Sequence, residues 1–230
     1  MRAMRLQLLL GLMVGFFGVV RGQSPYTETE VAGFKVRSKA DCFAGAVPAE
    51  VRDFQAKLRA QIDQLNRVLP ADKLQRLRQI PLYVHKGEHR AWGAAHHPSR
   101  EWLVKNGYPA EMANSIEIFN WSEFRTLVET QPACLLHEYA HGWQHLAPGM
   151  TQLIKPAYQQ ALRAGLYQSV DYVGEPSPRK AYALENDREY FAELSEAYFG
   201  RNDFFPFVRG ELQAYDPAGY AMIERVWGVR

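Results

Sequence analysis

Residues 133–143 read Ala-Cys-Leu-Leu-His-Glu-Tyr-Ala-His-Gly-Trp, which places two imidazoles and a carboxylate on one turn of an otherwise apolar segment. Thr130 as a cap, Pro132 in the first turn and Pro148-Gly149 as a stop predict a helix over 131–146. Ala133, Leu135, Leu136, Ala140 and Trp143 make that helix mostly buried, so His137, Glu138 and His141 enter a low-dielectric interior. Burying such groups is unfavourable unless a partner such as a metal compensates. Residues four apart share a helix face, so His137 and His141 can each offer a ring nitrogen to one zinc ion at about 2.0–2.1 Å. Glu138, one residue along, then stands beside the metal, placed to take a proton from a water whose pKa the metal lowers.

Catalytic zinc needs a third protein ligand and an open position. A histidine close behind the motif is excluded, because Gln144 and Ala147 occupy the places of the glycine and histidine in HExxHxxGxxH. No acidic residue occurs between Gly142 and Val170, so a nearby glutamate is excluded too. His145 extends the four-residue spacing, but a further helical turn carries it away from a tetrahedral site. The next candidates are Glu189 and Glu193, on one face of a helix expected over 186–199, amid Tyr190, Phe191, Ala192 and Leu194. At least one of them is expected to serve the metal. The competing readings are that Glu189 completes a capping box with Asn186 and that Glu193 is a solvated charge.

The rest of the chain sets the context. Arg2 and Arg5 precede a run of 15 residues from Leu6 to Val20, with small residues near Gly22. This is the pattern of a secretory signal peptide, 1–22, and the run falls short of the roughly 20 residues that span a bilayer. The expectation is one domain, 23–230, secreted to an extracellular or periplasmic space with no stable membrane anchor. Without the three arginines of residues 1–22, 24 basic side chains face 25 acidic ones, so no basic excess points to nucleic acid as a partner. Cys42 and Cys134 are expected either to bridge in an oxidising compartment or to lie apart as buried thiols.

Apolar spacing predicts helices over 49–69, 72–78 and 156–167, with a helical segment at the C-terminus. Strands are expected over 31–36, 80–85 and 115–120. Residues 86–98, which together with His85 bring in His89, His96 and His97, read as a surface loop without regular ligand spacing.

HEYAH followed some 45–50 residues later by EYFAE resembles the catalytic domain of anthrax-toxin lethal factor and its relatives, which are gluzincins. The same two blocks occur in a set of uncharacterised bacterial metallopeptidase-like proteins. The similarity is confined to residues 115–200, and residues 31–110 carry none of it. It implies a zincin-like α+β domain with a cleft between a small mixed sheet and the HExxH helix. By position it makes His137 and His141 ligands, Glu138 the base and Glu189 the third zinc ligand. Glu193 would orient a ligand histidine through a hydrogen bond, and Tyr182, seven residues before Glu189, would stabilise the developing oxyanion. The family binds substrate backbone along an edge strand, a part that residues 115–120 would take for an extended peptide or protein. The function implied is a secreted zinc metallopeptidase. The alternatives are an inactive secreted zinc-binding domain or a zinc amide hydrolase acting on a non-protein substrate.

Overall fold

The computed structural model describes residues 24–88 and 92–229. The signal-peptide reading of 1–22 and the position of His89 lie outside these residues. Among the described residues no helix is long and apolar enough to cross a membrane.

The fold is mixed α+β. β1 (Tyr26–Val31) and β2 (Phe34–Lys39) form a hairpin, paired from Tyr26↔Lys39 to Val31↔Phe34. Its two turn residues, Ala32 and Gly33, have φ of 48° and 88°, the left-handed backbone that a two-residue hairpin turn demands. α1 (Pro48–Val68) and the short α2 (Ala71–Leu77) then cross over to β3 (Leu82–Val84), which lies parallel to β2. α1 buries Phe54, Leu58, Ile62 and Leu65, spaced by three and four residues along one face.

Residues 94–118 fold back on the sheet. β4 (Ala94–His97), α3 (Arg100–Lys105) and β5 (Ser115–Ile118) follow in sequence, but β5 enters the sheet between β3 and β4. The strand order is β1-β2-β3-β5-β4, with β5 parallel to β3 and antiparallel to β4. Ser115–Ile118 is therefore an interior strand rather than the expected substrate-binding edge, and the edge beside the HExxH helix is β4. This corrects the reading of 86–98 as a loop. Ala-Ala-His-His gives no apolar alternation, so pairing with β5 rather than side-chain pattern creates this strand.

Leu82, Val84, Ile116 and Ile118 face the main core with α1 and the HExxH helix, while Tyr83 packs with Leu103 and Met112 on the opposite face. On that opposite face His85 Nδ1 and His97 Nε2 lie 2.5 and 2.7 Å from the two oxygens of buried Glu117. The histidines of this region thus point to different sides of the sheet.

α4 (Trp121–Thr130), capped by Asn120, precedes the HExxH helix α5 (Cys134–Leu146). Thr130 accordingly ends α4 rather than capping α5, and its hydroxyl donates to the Leu127 carbonyl. The C-terminal half is helical: α6 (Met150–Arg163, with Pro156 inside it), α7 (Asp187–Phe199), α8 (Arg209–Tyr215) and α9 (Pro217–Trp227). α7 packs against α5, α6, α8 and α9, and every residue from Tyr190 to Tyr198 is buried. Cys42 and Cys134 are free, buried thiols, and the Cys42 thiol donates to the Val84 carbonyl at 3.4 Å.

One buried carboxylate ties this half together. Asp216 accepts from the hydroxyls of Tyr167 (3.0 Å) and Tyr190 (2.6 Å) and from the Gly219 amide (2.9 Å). Removing it leaves three buried donors unpaired, so Asp216→Ala is expected to cost about 3 kcal/mol and to lower Tm by about 6–12 °C. Thermal melts followed by circular dichroism check this, and an unchanged Tm would deny the network its structural role.

Candidate metal centre

α5 and α7 lie side by side and bring residues about fifty positions apart into one cluster. Asn186 caps α7, its side-chain oxygen accepting from the amides of Arg188 (2.9 Å) and Glu189 (3.1 Å). The Glu189 carboxylate leaves the helix end and faces α5. There its Oε2 lies 3.1 Å from His137 Nε2 and 3.0 Å from His141 Nε2. The two imidazoles are 4.7 Å apart, centroid to centroid, at 83°. One donor atom from each of His137, His141 and Glu189 falls within 4.8 Å of the others.

Behind His137 lies a second layer of carboxylates. Its Nδ1 is 2.7 Å from Glu196 Oε1 and 3.9 Å from Glu193 Oε1. The hydrogen bond to His137 expected of Glu193 is thus made by Glu196, which sequence reasoning did not single out. Glu193 instead accepts from Asn202 Nδ2 at 3.2 Å. Glu196 lies three residues beyond Glu193, on the same α7 face, and that spacing is the signal that could have found it.

The electrostatics follow from burial. Burial and the neighbouring Glu196 charge raise the Glu193 carboxyl well above its ordinary range. Burial lifts Glu196 to about 7 against the pull of His137. For Glu189, burial pushes up but hydrogen bonds from His137 and His141 win, holding its carboxyl far below the usual range. For His137, burial disfavours the charge, yet the carboxylates of Glu189 and Glu196 outweigh it and raise the imidazole's pKa.

His137 is thus an imidazole with a carboxylate at each ring nitrogen. If Nδ1–H donates to Glu196, the Nε2 lone pair points at the Glu189 oxygen. That contact is repulsive unless a proton or a cation lies between them. The site therefore calls for positive charge at the point where His137, His141 and Glu189 converge.

Glu138 is buried on the sheet side of the cluster, and its Oε2 accepts the His96 backbone N–H of β4 at 2.8 Å. Burial raises its pKa, with the charges of His137 and His141 pulling the other way. The close approach of α5 to the sheet depends on Gly142. A Cβ there would meet Ile80 Cδ1 at 2.5 Å and the His96 ring at 3.8–3.9 Å. Tyr182 sits in a single 3₁₀ turn, Tyr182–Leu184, half-exposed, with its ring stacked on His137 at 6.3 Å.

All these groups open onto one cleft of about 730 Å³, whose wall on the sheet side is Trp92 and the chain from Gly93 to His96. Trp92 and His96 are additions to the site that the sequence pattern did not supply. Comparison with known proteins gives no match to any protein-family model, curated protein or solved structure.

Proposed function

We propose that this chain is a secreted zinc metallopeptidase with a zincin-like fold that hydrolyses peptide bonds of an extended peptide or protein. The observation that carries the reading is the convergence of His137, His141 and Glu189 beside a Glu138 carboxylate anchored to β4. The donor set suits zinc, since two imidazoles and a carboxylate leave one tetrahedral position open. The edge of a tetrahedron with bonds of 2.0–2.1 Å is about 3.3–3.4 Å. The Nε2–Oε2 separations of 3.0 and 3.1 Å lie close to that.

Zinc held there would supply a lowered water pKa and a Lewis acid for the scissile carbonyl. The chain's own residues account for the remaining steps. Glu138 takes the proton released by the attacking water and passes it to the departing amine. Its raised pKa brings it closer to the ideal for a group that must both accept and donate near neutrality. Tyr182, its ring stacked on His137, offers its hydroxyl to the oxygen that becomes negative, as an oxyanion-hole donor does. Glu196 holds the His137 ring through Nδ1 and so fixes which nitrogen faces the metal.

β4 ends the sheet among the described residues, and its backbone groups other than the His96 N–H, which Glu138 holds, give an extended substrate partners for hydrogen bonds. Ala94 and Ala95 are small enough to let a second chain approach. A digest of a mixed peptide library by the zinc-loaded protein, read by mass spectrometry, tests the reading. The expected result is a set of internal cleavages that disappears with Glu138→Gln. A zinc-loaded protein that cuts no peptide overturns the peptidase assignment in favour of a non-protein amide or a non-catalytic zinc domain.

A further inference from the structure

α5 continues its histidine series beyond the metal centre: His137 and His141 are followed, one turn on, by His145. The sheet supplies a partner for it. In the β4–β5 ladder His96 pairs with Ile116, whose side chain is in the core against α5, so the His96 ring projects toward the helix. Gly142 has no side chain to block it, and the ring settles over that position beside the next turn. The imidazoles of His96 and His145 are 5.6 Å apart, centroid to centroid, and both face the cleft.

We infer that His96 and His145 form a second, weaker site for a divalent transition-metal ion, in the cleft wall one helical turn from the first. The inference depends on the proposed function only in assigning the tight site to His137, His141 and Glu189. Imidazole nitrogen suits zinc, copper and nickel ions. When one ion takes a nitrogen from each of two imidazoles at 2.0–2.1 Å and a tetrahedral angle, the ring centroids fall about 5.3 Å apart. The His96–His145 pair, at 5.6 Å, lies closer to that value than the His137–His141 pair does at 4.7 Å.

The His96 ring also has the right chemical state. Burial holds the His96 imidazole down at about 3, so at neutral pH it is uncharged and keeps a nitrogen lone pair. His145 is exposed at the cleft mouth and can turn toward an arriving ion. Two protein ligands and no carboxylate make the site weaker than the first. Solvent would complete the coordination.

Equilibrium dialysis of the full-length zinc-loaded protein against rising free zinc tests this. The wild type is expected to rise from one bound equivalent to two. His145→Ala and His145→Gln are expected to keep the first equivalent and lose the second, and His96→Ala to do the same. Circular dichroism of each variant confirms that the fold is retained. A wild type that saturates at one equivalent overturns the second site, as does a second equivalent that survives in all three variants. A wild type that takes up only a weak equivalent, lost in His145→Ala, supports this site and removes the tight one.

Discussion

Glu138→Gln is expected to lower turnover by about 10²–10⁴-fold, the range a positioned general base contributes, while zinc content stays at one per chain. The substitution is close to isosteric. The glutamine oxygen can still accept the His96 N–H that holds Glu138 in place at 2.8 Å, so the fold has no reason to change. What disappears is a group able to gain and lose a proton beside His137, His141 and Glu189. The variant also removes a buried carboxylate near two histidines, which leaves metal binding intact because Glu138 is not among the converging donors. Paired measurements of kcat on a cleaved peptide and of bound zinc check this. Unchanged turnover would take the base away from Glu138, and loss of zinc would make it a ligand.

The second large effect concerns the glutamates of α7, which the structure ranks by distance. Glu189→Ala deletes a donor that lies 3.0–3.1 Å from both histidines, and is expected to reduce zinc affinity most. Glu196→Ala removes the group at 2.7 Å from His137 Nδ1. Outer partners of this kind are worth about 10–100-fold in affinity. Glu193→Ala should matter least for the metal, because its carboxylate is 3.9 Å from His137 and bonded to Asn202. Competition with a chromophoric chelator gives the three affinities. An order with Glu193 ahead of Glu196 would return the orienting role to Glu193, and one with either ahead of Glu189 would reassign the third ligand.

How legible the site was in the sequence depended on which elements carried it. α1 and α7 were visible because their apolar residues or caps follow helical spacing, and Glu189 was visible because it follows the Asn186 cap on an apolar helix. The choice between Glu193 and Glu196 was not. With 3.6 residues per turn, positions four and seven beyond Glu189 both fall within about 40° of it, and only the contact between α5 and α7 selects one. β4 was hidden for a different reason. An edge strand that lines a polar cleft on one face and covers Glu117 on the other has no need of apolar alternation, so Ala94–His97 looked like loop. The same gap hid His96, whose backbone holds Glu138 and whose ring faces His145. The boundary at Thr130 was misplaced because two helices, α4 and α5, meet there across a three-residue turn.

The zinc content of the natively purified chain, after dialysis against a weak chelator, tests the central claim most directly. The proposed function predicts close to one tightly held zinc per chain, lost from His137→Ala and from His141→Ala. Protein that is folded yet retains no zinc, even after reconstitution with the metal, would contradict it.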